Sequence, residues 1–269
     1  MSTGFHVVVL GSLVPDLLQT LEPVQGPSGP ALKNELMLPA VLDPWAAHAL
    51  FEAAHVAAAT PGSKVWLVSL APKAKLQQLM MSIAQKVPFE LVAVDGSASG
   101  FTDPVDVAEA LAGAIEKIPA LDRSRLLLFG GCASASRDAG VTVQLVAERL
   151  GIFDQFLAAD ELTVNAAGVL TILERVEGGQ YLVSEVAGPP CAIAWATGNL
   201  PEPPNNPQVG MMNMRTIMPA LQKAPAVQFA AQGTVFQSVE LPKQERRTRI
   251  VKDVPLDEMA REIAAWIKS

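Results

Sequence analysis

The sequence predicts an α/β fold, an open and mostly parallel sheet with flanking helices. Three observations carry this. Short Val- and Leu-rich runs recur as far as Gly151, apolar on both faces as strands covered on both sides must be. A segment of helical periodicity follows each run. Two of those helices open on the same Asp-Pro pair, Asp43-Pro44 and Asp103-Pro104, an N-cap followed by a proline whose missing N–H costs nothing in the first turn. Strict alternation of this kind gives parallel strands joined by right-handed crossovers.

"FHVVVLGS" (Phe5 to Ser12) is the first buried strand. The Pro- and Gly-rich excursion after it is too long for a plain connection, so it is expected to cover something. "DPWAAHALFEAAHVAAAT" is a helix, "KVWLVSLAP" a strand, "KAKLQQLMMSIAQK" a helix and "FELVAVD" a strand. "DPVDVAEALAGAIEKI" is helical and "RLLLFGG" is the next strand. "VTVQLVAERLG" closes the alternation, with Val143, Val146, Ala147 and Leu150 on one face and Gly151 at its end. The pattern then changes. "ELTVNAAGVLTILERVEGGQYLVSEV" alternates polar and apolar around two hairpin turns, NAAG and EGGQ, and "CAIAWAT" is one more buried strand. A Pro- and Met-rich loop then leads into a short helix, and the chain ends in an amphipathic helix after "KQERRTR". Residues 1–225 read as one α/β domain. Residues 226–269 read as a C-terminal arm.

The 269 residues are 50% hydrophobic and 17% charged, with a net charge of −7 and no basic stripe, which argues against a nucleic-acid partner. The N-terminus lacks the basic region of a signal peptide and no apolar run spans a membrane, so a cytoplasmic protein is expected. Cys132 and Cys191 have no metal spacing. His48, Glu52 and His55 share a helix face, but a metal would need further ligands, and the spacing reads as a solvated or interfacial face. Cys132 as a nucleophile would need His6 as its base, and His6 begins a strand rather than ending one. No catalytic side chain is expected.

The segment "GGCASASRDAG" is where binding is expected. It follows a buried strand and opens a helix, and ligands of open α/β sheets sit at the carboxyl ends of strands. Its small residues let backbone N–H groups approach an anion, and the helix N-terminus adds partial positive charge. Arg137 is placed to pair with a phosphate, and Ser134, Ser136 and Thr142 to hydrogen-bond one. A plain Gly/Ser connection is the alternative. The four methionines between Met211 and Met218 favour contact with a partner over a place in the core, because methionine repacks at adaptable surfaces.

These motifs, in this order, resemble the beta subunit of electron-transfer flavoprotein nearly end to end. "VPD" (Val14 to Asp16), "DPWAAHALFEAA", "VWLVSLAP", "LERVEGGQYLVSEVAGPPCAIAWATG" and "MNMRTIMPALQKAP" are each similar to a segment of that family, the Glu-Gly-Gly hairpin most specifically. The resemblance implies a Rossmann-like, adenine-nucleotide hydrolase-like fold, with residues 1–225 as the nucleotide-binding domain, a partner-recognition loop near 203–218, and residues 226–269 as an arm whose amphipathic helix contacts an alpha subunit. It implies a heterodimer in which an alpha subunit holds most of a redox FAD while this chain binds a structural AMP, or a second FAD in electron-bifurcating members. It also implies electron flow from a flavoprotein dehydrogenase to a quinone-linked oxidoreductase, without membrane insertion. Carried over residue by residue, the AMP phosphate cradle is Gly131, Cys132, Ala133, Ser134, Ser136, Arg137, Asp138, Gly140, Val141 and Thr142. Leu10, Asp43, Pro44, Trp45 and Leu70 line the nucleotide, with Trp45 near the alpha-subunit flavin. Met214 stands at the partner-anchoring position, among Met211, Met212, Ile217 and Met218.

The sequence departs from the family at Ser12-Leu13, at Asp43 in place of Asn, at Ala46-Ala47, at Ser136-Arg137-Asp138 and in "PALQKAP". These departures point to a paralogue serving one particular dehydrogenase. A bifurcating subunit, a nucleotide-free docking subunit and a free-standing nucleotide-binding enzyme stay open as alternatives.

Overall fold

The fold is that of a computed structural model. It describes residues 4–26, 29–98, 101–136, 140–229, 237–238, 240, 248 and 250–268. Two compact units emerge, Met1–Val239 and Glu240–Ser269.

The first unit is built on β1 (His6–Leu10), β2 (Leu13–Pro15), β3 (Pro23–Gly26), β4 (Gly29–Leu32), β5 (Ala40–Leu42), α1 (Pro44–Ala59), β6 (Lys64–Ala71), α2 (Lys73–Ile83) and β7 (Glu90–Asp95). It continues through α3 (Pro104–Ile115), β8 (Leu126–Gly131), α4 (Thr142–Arg149), β9 (Gln155–Val164), β10 (Leu170–Arg175), β11 (Tyr181–Val186), β12 (Cys191–Trp195) and α5 (Pro207–Lys223). Eight strands form one mixed, mostly parallel sheet in the order β11-β10-β9-β12-β8-β1-β6-β7. From β12 to β7 every neighbour pair is parallel, and only the β9-β10-β11 meander is antiparallel.

The pleat explains the uninterrupted apolar strands. In β1, Val7 and Val9 point into a core shared with α1, α2 and α5, while Val8 and Leu10 point into a second core under α3 and α4. Both faces are covered, so alternation would serve no purpose. The caps work as their residue types dictate. Asp43 Oδ1 accepts the Trp45 N–H at 3.2 Å and Asp103 Oδ1 accepts that of Val105 at 2.8 Å. At the end of α4, Gly151 takes φ +69°, which lets the Ile152 N–H reach the Ala147 carbonyl at 2.8 Å.

The long excursion after β1 makes two small antiparallel pairs, β2 with β5 and β3 with β4, and the first of these packs against β6 and α2. The Met-rich segment is not a loop leading into a short helix. It is one 17-residue helix, α5, capped by Asn206, whose Oδ1 accepts from Gln208 N–H at 3.0 Å. The chain then pairs beside β7 through Asp95 and Pro225–Val227, so the first unit runs on past Lys223.

The second unit contains α6 (Leu256–Lys268). Met259, Ile263, Trp266 and Ile267 make one apolar side of it, which that unit does not bury; Ile267 is 80% exposed.

Candidate functional site

The strand order reverses at β1. Chain order runs outward from β1 through β6 to β7, then returns to place β8 on the other side of β1. Such a switch point leaves a crevice, because the connections leave the two strands in opposite directions. A cleft lies there, at the carboxyl ends of β1 and β8.

One wall is apolar: Leu10 from β1, Val68 and Leu70 from β6, and Val107 and Leu111 from α3. The facing wall is the loop after β8, with Gly131, Ala133, Ser134, Ser136, Gly140 and Thr142. Asp43 and Ala46, at the start of α1, border it. Leu10, Asp43 and Leu70, far apart in sequence, are thus brought to the loop expected to hold an anion. Pro44, Trp45, Cys132 and Val141 stand behind or beside the cleft rather than lining it, and Arg137 and Asp138 lie outside the described residues. Sequence reasoning missed Gly11, Ser12, Val68, Thr102 and Val107, although strand ends flanking a topological switch would have pointed to several of them.

The loop can take its path only with glycine at two places. A Cβ on Gly140 would come 1.8 Å from the Cys132 carbonyl oxygen, and one on Gly131 would come 2.5 Å from Trp45 Cβ. The backbone therefore folds tightly on itself. The hydroxyls of the loop and the apolar wall are of the kinds that an adenine nucleotide would use.

Asp43 is the exception in this donor set. Its side chain is buried, yet it borders the cleft. Oδ2 accepts from Ser134 Oγ at 2.7 Å and from the Ala135 N–H at 3.0 Å. Ser134 Oγ lies 2.9 Å from Ser136 Oγ and accepts from the Ser136 N–H at 3.2 Å. Burial raises the Asp43 carboxyl above the usual range, and these donors work against that rise. Asp43 thus clasps the loop to the start of α1.

Cys132 and His6 lie at opposite ends of β8. The Cys132 N–H donates to the Trp195 carbonyl at 2.8 Å, and His6 lies opposite Leu126. His6 Nδ1 accepts the Asp122 N–H at 2.8 Å, and burial lowers its basicity. Cys191 is buried, which pushes its thiol up to about 12.

The helix face of His48, Glu52 and His55 is not uniformly solvated. Glu52 is buried, accepts the Asn199 N–H and is pushed up to about 7, first by burial and then by Glu161. Its folded value lies above the ordinary one of 4.5, so its stabilising contribution is complete below that value and lost as pH rises through about 7. Glu52→Gln is therefore expected to flatten stability between pH 5 and 8 by about 2 kcal/mol, solvent screening included. Denaturant midpoints at both pH values check this, and an unchanged pH slope overturns it.

On α5, Met211 and Met212 are exposed, Met211 at 66%, and Met218 is partly so. Met214 packs partly against the core, and Ile217 is fully inside it beside Leu221. Ile217 is thus corrected from a partner contact to a core residue: it falls on the inner face of a helix, where a loop would have left it free.

The electron transfer flavoprotein domain profile matches residues 34–231. The chain belongs to that family. The match takes in the loop after β8, the hairpins and α5, and the α/β sheet agrees with it. Electron transfer flavoproteins bind FAD and work with partner subunits and dehydrogenases. Curated proteins give no match. No helix among the described residues is long and apolar enough to cross a membrane.

Proposed function

We propose that this chain is the beta subunit of a heterodimeric electron transfer flavoprotein and holds a structural AMP in the cleft between β1 and β8. The observation that carries the reading is the cleft itself: an apolar wall faces a glycine-shaped loop of hydroxyl and N–H donors at the switch point of a family-typical sheet. The chain's own residues bind and orient. The FAD, held mainly by the alpha subunit with Trp45 near it, supplies the one- and two-electron chemistry. Electrons come from a partner flavoprotein dehydrogenase and leave to a quinone-linked acceptor, in the cytoplasm.

The dehydrogenase docks on α5, through Met211, Met212 and Met218 with Met214 behind them. Unbranched, exposed methionines at helical spacing offer an adaptable apolar surface. The departures at Asp43 and in the 136–138 segment fit a paralogue serving one dehydrogenase, of the amine or N-methyl-amino-acid kind rather than a general acyl-CoA dehydrogenase.

The test is release of nucleotides from the denatured complex with its alpha subunit, separated and counted by chromatography. One FAD and one AMP per heterodimer is the expected result. Two FAD would move the protein to the bifurcating class. FAD alone would make this a docking subunit, a reading that the Asp43 carboxylate in the cleft also favours.

The apolar side of α6 gives a further prediction. Met259, Ile263, Trp266 and Ile267 repeat at helical spacing, and an exposed stripe of this kind marks an interaction surface. Truncation after Pro255 is expected to weaken the heterodimer at least tenfold. Unchanged co-purification with the alpha subunit would sink that assignment.

A further inference from the structure

We infer that Glu52 is a proton-operated latch on residues 196–206, the segment that carries α5: neutral, it holds the segment in place, and ionised, it lets go. The latch is a property of this chain alone. Its effect on electron transfer rests on the reading that the dehydrogenase docks on α5.

The segment joins β12 to α5 without regular structure of its own. Polar clasps seat it instead. Arg175 Nη2 donates to Thr197 Oγ1 at 2.9 Å, and Glu52 on α1 accepts the Asn199 N–H. Lys86 Nζ lies 2.6 Å from Glu202 Oε1 and donates to the Pro203 carbonyl at 3.2 Å. The Asn206 N–H donates to the Gln85 carbonyl at 2.8 Å, and the Asn206 side chain caps α5. A change at Glu52 is thus passed along the segment to the first turn of the helix.

Glu52 is the clasp that can change its charge. It is 5% exposed, and among the described residues it has no ion pair. Gly198 closes over it with φ +62°; a Cβ there would come 3.1 Å from Glu52 Oε1 and 3.8 Å from His48 Nδ1. The groups that face it supply no counter-charge. Glu161 from β9 adds a like charge. His48, one turn back on α1, has its basicity lowered by burial, against the pull of Glu202. His55, one turn on, is exposed. Asp160 shows the contrast: it is equally buried, but Arg175 grips it.

A neutral carboxyl avoids the cost of burying charge and still accepts from Asn199. An ionised one gains by reaching water, and Gly198 and Asn199 must move off it first. Burial, then Glu161, push Glu52 up to about 7 from 4.5. The latch is therefore fully closed below the ordinary value and loses its hold as pH rises through the folded one. From pH 6 to pH 8 this linkage multiplies the open population by up to about tenfold, less where solvent screens the site. Glu52→Gln keeps the acceptor and cannot ionise. Glu161→Gln keeps Glu52 and removes the like charge.

The experiment uses the complex with the alpha subunit and follows amide hydrogen exchange of residues 196–206 at pH 6 and pH 8, corrected for the intrinsic pH dependence of exchange. Wild type is expected to lose protection at least threefold at the higher pH. E52Q should be equally protected at both, and E161Q should fall between the two. Equal protection of wild type at both pH values overturns the inference, and so does a loss in E52Q as large as in wild type. Neither result touches the docking reading, because exchange is read on this chain without a dehydrogenase. With the dehydrogenase added, its half-saturating concentration should rise at least threefold from pH 6 to pH 8 in wild type and not in E52Q. If replacing Met211 and Met212 by alanine weakens coupling while E52Q keeps the wild-type pH dependence, docking on α5 stands and the latch does not govern it. If the methionine pair has no effect on coupling, the docking reading fails, and the exchange result alone decides the latch.

Discussion

Replacing Arg175 by alanine is expected to cost about 3–5 kcal/mol of stability, toward the lower figure because the Arg175 side chain is half exposed. Asp160 is a buried carboxylate on β9. Arg175 on β10 grips both its oxygens, Nε to Oδ2 and Nη2 to Oδ1, each at 2.9 Å, and the Tyr181 hydroxyl donates to Oδ2 at 3.0 Å. Alanine would leave an uncompensated charge in the fold with Tyr181 as its remaining side-chain donor. Arg175 Nη2 also donates to Thr197 Oγ1 at 2.9 Å, tying the hairpins to the end of β12. That strand in turn holds the start of the cleft loop, through the Trp195 carbonyl and the Cys132 N–H. The unfolding temperature of the heterodimer is expected to fall by roughly 6–12 °C. Lysine, with a point charge in place of a planar fork, should recover only part of this. Adding Asp160→Asn to the alanine variant should restore stability, because it removes the stranded charge. An alanine variant that melts with wild type, or a double variant less stable than the single, would overturn this account.

That cluster shows where sequence reading stops. The parallel strands, the Asp-Pro helix starts, the Gly151 terminus and both hairpins were legible, because each is decided within a few residues by periodicity, capping or turn chemistry. The position of the cleft was legible as well, since alternation implies a parallel sheet and a parallel sheet implies ligands at its carboxyl edge. What Asp43 does was not. Its partners, Ser134 and Ala135, are brought to it across the sheet. Nor was burial of Glu52 legible, since a carboxylate among alanines reads as the wet side of a helix until the 198–199 segment is seen to cover it. The start of α5 was in principle readable. Asn206-Pro207 is the same cap-and-proline signal as Asp43-Pro44, masked by the prolines at 201, 203 and 204. Taken as a loop, the segment kept Ile217 outside the core and gave Asn213 no role.

Asn213 has one. Its side chain is buried, and its amide bonds to backbone. Nδ2 donates to the Ala84 and Val87 carbonyls, both at 2.8 Å, and Oδ1 accepts the Phe89 N–H at 3.2 Å. All three partners lie in the stretch between α2 and β7, which has no ladder of its own to satisfy them. One amide therefore clips the proposed docking helix to the sheet. Asn213→Ala leaves three buried backbone groups without that partner, at about 1–3 kcal/mol each before relaxation, and a net loss of about 3–5 kcal/mol is expected. Asn213→Asp should do no better: it keeps an acceptor for Phe89 but turns negative charge toward two carbonyl oxygens. Thermal unfolding measures this, with a drop of roughly 6–15 °C expected. Methionine substitutions on the same helix separate clip from contact. Alanine at both Met211 and Met212 removes exposed side chains and should leave the unfolding temperature within a few degrees while weakening dehydrogenase coupling. Asn213→Ala should lower both. If N213A unfolds with wild type, apolar packing through Ile217 and Leu221 holds α5 without the clip. If coupling to the dehydrogenase survives loss of both methionines, the contact lies elsewhere on the chain.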